Sequence, residues 1–137
     1  MRFMALDVGT KTIGIAVSDE LAMIANGVET IRRTSKEKDF ARLKELVANY
    51  QPQGIVVGYP KNMNGTIGER AKSCEELAEE LKELFCGIDI ILWDERLSTV
   101  AAQRVLIEAD LSRSKRKKVI DKMAAVVILQ NYLDSRR

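Results

Sequence analysis

Four acidic residues stand where acids are costly. Asp7 ends the apolar run Phe3-Met4-Ala5-Leu6, Asp94 and Glu95 end Ile90-Ile91-Leu92-Trp93, and Asp121 lies in a final segment that is otherwise nearly all apolar. A carboxylate withdrawn from water needs a hydrogen bond, an opposite charge or a metal. Three separated segments that each bring one to the border of a core can assemble a divalent-cation site. Carboxylates, water and substrate oxygens suit Mg²⁺ or Mn²⁺, which take oxygen ligands in near-octahedral geometry. Two such ions about 3.5–4 Å apart activate a water and stabilise the leaving oxygen of a phosphodiester. That chemistry needs no histidine, and the chain has none. Imidazole base catalysis and His-ligated zinc are thereby excluded.

Each acid also has a plainer reading. Asp7 can cap a turn ahead of Gly9. Asp121 shares a helical face with Ala124, Ala125 and Ile128, all apolar. At the start of a helix, however, it can simply answer the macrodipole. Strand alternation puts Asp94 with Ile90 and Leu92, and Glu95 with Ile91 and Trp93. Only one of the two then faces a site, and the other pairs with Arg96 or a backbone group.

Groups that can hold a phosphate backbone lie in three places. Gly9-Thr10-Lys11 is a glycine-bearing turn after a strand, where N–H groups and the Thr10 hydroxyl can approach a phosphate; a tight hairpin explains it equally well. The polar loop Tyr59 to Thr66 offers Lys61, Asn62 and Asn64. Arg113, Lys115, Arg116, Lys117 and Lys118 form a basic run just before Asp121. Such runs are usually solvated surface, but beside an acidic site this one can offset repulsion between carboxylates and phosphates. Arg32, Arg33, Lys36 and Lys38 make a smaller second cluster. Trp93 reads as core rather than as a platform for base stacking.

The elements that must position these groups follow from the apolar pattern. Phe3 to Asp7 and Ile13 to Val17 read as two buried strands joined by a short turn, hence an antiparallel hairpin, with a third strand around Val28 to Ile31. Thr34 and Glu37 form a capping box for a helix carrying Phe40, Leu43, Leu46, Val47 and Tyr50, which Pro52 closes. Gly54 to Gly58 is a buried strand. A second amphipathic helix from about Glu69 presents Ala71, Cys74, Leu77, Ala78, Leu81 and Leu84 on one face. Ile88 to Trp93 is the next strand. Ser98 or Thr99 caps a third helix through Val100, Val105 and Leu106. Ser112 to Lys118 reads as a mobile basic loop, and a last helix spans roughly Val119 to Leu133. The order β-β-β-α-β-α-β-α-α predicts an α/β fold with a mixed sheet covered by helices. In open sheets ligands sit outside the carboxyl ends of the strands, where Asp7, Gly58 and Asp94-Glu95 all fall.

The 137 residues predict a single domain over 1–137, with 46% hydrophobic and 31% charged residues typical of a soluble globule. A net charge of +2 says little about partners. Cys74 reads as a small buried hydrophobe, and Cys86 has no metal-ligand spacing. Neither a signal peptide nor a long apolar span is apparent, so the expected location is the cytoplasm, with no membrane partner.

Four stretches in order carry a family likeness: DVGTKTIGIAVSD (Asp7 to Asp19), VVGYPKNMNGT (Val56 to Thr66), DERLST (Asp94 to Thr99) and IDKMAAVVILQNYL (Ile120 to Leu133). They resemble the YqgF, or RuvX, family, which is bacterial, has the ribonuclease H-like fold and is related to RuvC Holliday junction resolvases. The resemblance implies a three-layer fold with a mixed five-stranded sheet, its first three strands antiparallel, flanked by helices. It implies a cytoplasmic, metal-dependent nuclease that trims the 5′ end of pre-16S rRNA during ribosome maturation, acting alone or as a homodimer. Cleavage of structured DNA at Holliday junctions is the older view of the family. Carried over by residue, the catalytic and metal-binding set is Asp7, Glu95 and Asp121, with one or two Mg²⁺ or Mn²⁺ ions. The chain departs from the wider ribonuclease H pattern at Gly58, where those enzymes usually place their second carboxylate. Two other classes remain in view. One is a non-catalytic nucleic-acid-binding factor, which needs the basic clusters but not the carboxylates. The other is a sugar-kinase or actin-like ATPase, which resembles this chain only in the Asp-x-Gly-Thr hairpin.

Overall fold

Residues 1–59, 68–94 and 113–136 are described by the computed structural model, with side chains throughout except Arg70 and residues 113–122. Strand β1 (Phe3–Val8) is buried along its whole length because it occupies the centre of a five-stranded sheet. Strands β2 (Thr12–Ser18) and β3 (Ala25–Arg32) extend the sheet on one side; β4 (Gly54–Tyr59) and β5 (Asp89–Asp94) extend it on the other, giving the order β3-β2-β1-β4-β5. The β1–β2 pair is antiparallel, as the short turn predicts, and so is β2–β3, as the family resemblance implies. The β1–β4 and β4–β5 pairs are parallel. The carboxyl ends of β1, β4 and β5 therefore share one edge.

Helices cover both faces. Helix α1 (Lys36–Tyr50) and helix α2 (Glu69–Leu84) bury Leu43, Leu46, Cys74, Leu77 and Leu81 against Met4, Leu6, Ile13, Ile15, Ile55 and Val57. Helix α3 (Arg113–Ser135) lies on the opposite face, where Ala124, Ala125, Ile128, Leu129 and Leu133 meet Phe3, Ala5, Ala16 and Val56. Small side chains on both surfaces, Ala5 and Ala16 against Ala124 and Ala125, let the helix approach the sheet closely. The result is the predicted mixed three-layer arrangement. Cys74 is buried as expected, and Cys86 is exposed.

Several element boundaries differ from those expected. Strand β3 begins at Ala25, and β5 runs from Asp89 through Asp94. The N-cap of α1 is Ser35, not Thr34: its Oγ accepts from the Lys38 N–H at 3.2 Å. Thr34 instead donates its N–H to Asp39 Oδ1 at 3.3 Å. The helix stops at Tyr50 because Gln51 turns left-handed ahead of Pro52.

The largest correction concerns the expected basic loop. Residues Arg113 to Lys118 are helical, and α3 starts at Arg113 rather than near Val119. Charge alone reads as solvated loop, yet Lys and Arg are good helix formers, and no Gly or Pro interrupts the stretch. The expected third helix near Ser98 and the loop at Tyr59 to Thr66 lie outside the described residues, apart from Tyr59 itself.

Candidate active site

Asp7 is the fixed point of the site. It is only 3% exposed and sits next to last in β1, so it lies at the carboxyl edge. Alternation assigns its face. Phe3 and Ala5 pack beneath α3 whereas Met4, Leu6 and Val8 pack beneath α1 and α2, so Asp7 belongs to the α3 face.

Its neighbours across the sheet are unusual. Asp7 is paired with Gly14 on β2, and Gly14 with Thr30 on β3. On the other side Leu6 pairs with Val57, which puts Gly58 of β4 level with Asp7, and Gly58 pairs with Trp93 on β5. The row across the sheet is thus Thr30, Gly14, Asp7, Gly58, Trp93. Glycine stands on both sides of the carboxylate, so neither flanking strand places a side chain beside it.

Strand β5 ends at Asp94, whose face follows from the strand's alternation. Ile90 packs with the α1–α2 core, whereas Ile91 and Trp93 pack with the α3 core. Asp94 therefore belongs to the face away from α3. Its charge acts on Tyr59, which lies in the α1–α2 core and donates its hydroxyl hydrogen to Glu75. That hydrogen bond, with burial and the nearby negative charges, pushes the Tyr59 hydroxyl up to about 12. Trp93 is core, as expected, and stacks edge-on against Tyr132 at 5.6 Å between centroids. Its indole Nε1 is buried and has no hydrogen-bond partner among the described residues.

Thr10 and Lys11 are exposed on the β1–β2 turn, immediately beyond Asp7. The turn is tied down from β3. Gly9 donates its N–H to Thr12 O at 2.8 Å; Arg33 donates its own N–H to Lys11 O at 2.8 Å and a guanidinium hydrogen to Gly9 O at 2.7 Å. Arg33 also pairs with the buried carboxylate of Asp39 at 3.6 Å. Lys36 pairs with Glu80 at 2.8 Å. The second basic cluster is therefore partly committed within the fold. Sequence reasoning missed this use of Arg33 and missed Asp39, which by position looks like an ordinary first-turn helix acid.

Asp121 lies about two turns past Arg113, at 3.6 residues per turn, so α3 has no acid in its first turn. The macrodipole explanation of Asp121 falls with the earlier helix start. Asp121 precedes Ala124, Ala125 and Ile128 by the spacing of one helical face, and those three are buried against the sheet. Lys61, Asn62, Asn64, Glu95 and Arg96 lie outside the described residues, as do the side chains of Asp121 and of Arg113, Lys115, Arg116, Lys117 and Lys118. Among the described residues no cluster of three acidic or cysteine side chains is placed to hold a metal. No described helix is long and apolar enough to cross a membrane.

Comparison with known proteins is consistent with this architecture. RuvC of Thermus thermophilus, in complex with Holliday junction substrate, superposes with a TM-score of 0.60 at 14% identity, covering 99% of this chain and 96% of that one. The fowlpox virus Holliday junction resolvase superposes at 0.57 and 14% identity, covering 98% of this chain and 99% of that one. At such identities the likeness is one of fold. Relatives from Bacillus thuringiensis (strain Al Hakam) and Bacillus cereus (strain AH820), each named "Putative pre-16S rRNA nuclease", are 58% identical over 138 aligned positions, covering 99% of this chain and all of each relative. The RuvX family model, described as Holliday junction resolvase, matches residues 1–135. By that nearly complete match and that degree of identity, the chain belongs to the RuvX family.

Proposed function

We propose that this chain, as one domain over residues 1–137, is a cytoplasmic nuclease. In this reading it uses divalent metal to hydrolyse phosphodiester bonds at the 5′ end of pre-16S rRNA, on or near the assembling ribosome. The observation that carries the reading is the Asp7 carboxylate: buried, at the carboxyl edge, on the α3 face, with glycine beside it on both flanking strands. Neither flanking strand sets a side chain level with it on that row.

The donor set fits Mg²⁺ or Mn²⁺, since every candidate ligand offers oxygen. Asp7, Glu95 and Asp121 are the residues that would hold one or two ions, as monomer or homodimer. When bound, the metal supplies an activated water and stabilises charge on the leaving oxygen. Support for Glu95 comes from Asp94, which belongs to the opposite face of the sheet. Support for Asp121 comes from its spacing to Ala124, Ala125 and Ile128 and from its place well inside a helix.

The chain's own residues do the rest. Thr10 and Lys11 on the turn, with Lys61, Asn62, Asn64 and Arg96, hold the nucleic-acid backbone. Arg113, Lys115, Arg116, Lys117 and Lys118 offset the repulsion between phosphates and the acidic site. Replacing Lys115, Arg116, Lys117 and Lys118 with Ser is expected to weaken RNA binding for all sequences alike. Each lost phosphate contact should flatten the plot of log affinity against log salt by roughly 0.7. An unchanged slope would return the run to plain solvated surface.

The name carried by the relatives favours RNA, and the family description favours junction DNA as the second reading. Purified protein incubated with Mg²⁺ or Mn²⁺ beside a pre-16S leader RNA and a four-way DNA junction distinguishes them. Preferred cleavage of the leader supports the proposal. Preferred cleavage of the junction replaces its substrate, and binding without cleavage of either makes the protein a binding factor.

A further inference from the structure

Besides its internal bond, the turn beside Asp7 is tied to the residue that follows β3. Arg33, just beyond β3, takes the carbonyls on both sides of Thr10: its backbone N–H reaches Lys11 O at 2.8 Å and its guanidinium reaches Gly9 O at 2.7 Å. A charged donor at this distance makes one of the stronger hydrogen bonds available to a peptide carbonyl. The guanidinium is oriented in turn by Asp39, 5% exposed, whose Oδ2 lies 3.6 Å from Arg33 Nε. The other oxygen of Asp39 accepts the Thr34 N–H at 3.3 Å. Asp39 is thus fixed on both sides, by the chain entering α1 and by the arginine.

The consequence follows from peptide planarity. The Gly9 carbonyl and the Thr10 N–H belong to one trans peptide unit, so they point in opposite directions. With the carbonyl held towards Arg33, the Thr10 N–H is held away from it. A cation on the carbonyl also polarises the unit and strengthens its N–H as a donor. Thr10 itself is exposed, three residues past Asp7.

We propose that the Arg33–Asp39 pair is a positioning device that sets the Thr10 peptide as a donor for a substrate phosphate next to Asp7. The proposal rests on the nuclease reading of that site. Arg33 touches neither substrate nor ion; it acts through the turn.

The test uses Arg33→Ala, Arg33→Lys and Asp39→Asn in the full chain. The readouts are amide hydrogen exchange at Gly9 and Arg33, melting temperature, and steady-state cleavage of a leader RNA. Arg33→Ala is expected to speed exchange of the Gly9 amide at least about tenfold while the amides of Met4 to Leu6 stay protected. It should lower kcat/KM by roughly ten- to a hundredfold, the scale set by displacing a positioned group by about 1 Å. Arg33→Lys should recover part of both effects, since an ammonium can still reach the Gly9 carbonyl. Asp39→Asn keeps the shape, loses the charge and should fall between. Should Arg33→Ala fail to fold, Asp39→Asn carries the test alone.

Unchanged exchange at Gly9 would overturn the proposal. So would a loosened turn with undiminished kcat/KM in a protein that Asp7→Asn inactivates. Exchange reports on the clamp whether or not the protein cleaves RNA, so absence of any wild-type cleavage would strike only the nuclease reading.

Discussion

Asp7→Asn is expected to abolish cleavage while leaving RNA binding equal or tighter. The amide keeps the size of the carboxylate but loses the charge that would hold a cation at the sheet edge. Removing one charge-stabilising group from a preorganised site costs on the order of a hundred- to a thousandfold in rate, and a ligand to the ion should cost at least that. Binding moves the other way because a negative charge that repels phosphates is gone. The pair of measurements is single-turnover cleavage of a leader RNA and its affinity in the absence of divalent ions. Loss of affinity together with activity would make Asp7 a structural residue. Full activity would remove it from the site.

Ile128→Ala has the second largest expected effect, on stability. Ile128 is fully buried between α3 and the sheet, among Phe3, Ala5, Val56 and Ala124. Truncating a buried isoleucine removes its transfer free energy and leaves a cavity, at a cost of about 2–5 kcal/mol. The alanines around it are too small to swing into the void, which places the expected cost in the upper half of that range. Urea denaturation should show an earlier midpoint with an unchanged slope. The same substitution on the exposed side of the helix, Met123→Ala, should change stability by less than about 0.5 kcal/mol. A small effect at Ile128 would mean that α3 is not fastened to the sheet as described. The position of Asp121 relative to Asp7 would then lose its basis.

Much of this arrangement was legible in the sequence because it depends on local periodicity. A two-residue alternation puts Asp94 on the face of Ile90, away from α3, where the structure has it. The short turn between two apolar runs dictated the antiparallel hairpin, and the position of acids after such runs dictated the carboxyl edge. The likeness of four ordered stretches to one family added the choice among the acids.

What could not be read depends on contacts between distant residues or on competition between equally plausible local states. Arg33 lies in a run of charges that looks solvated, and its bond to the Gly9 carbonyl spans 24 residues. Asp39 looks like a residue answering the dipole of α1, and only tertiary packing buries it against the arginine. Ser35 and Thr34 are both good caps, and the helix takes the one whose neighbour can also reach Asp39. Residues Arg113 to Lys118 satisfy both a loop and a helix by composition, and the apolar helix that follows extends through them. The register that puts Gly14 and Gly58 beside Asp7 likewise needs three strands to be aligned at once.

In the proposed function, the carboxyl edge around Asp7 hydrolyses RNA with the help of a divalent cation. The most direct measurement is single-turnover cleavage of an end-labelled pre-16S leader RNA by the purified chain. It should be run with Mg²⁺, with Mn²⁺ and with excess chelator, beside Asp7→Asn prepared identically. Discrete products at the 5′ side are expected with either ion, and none with chelator or with the variant. Products that persist with chelator, or equal cleavage by Asp7→Asn, would contradict it.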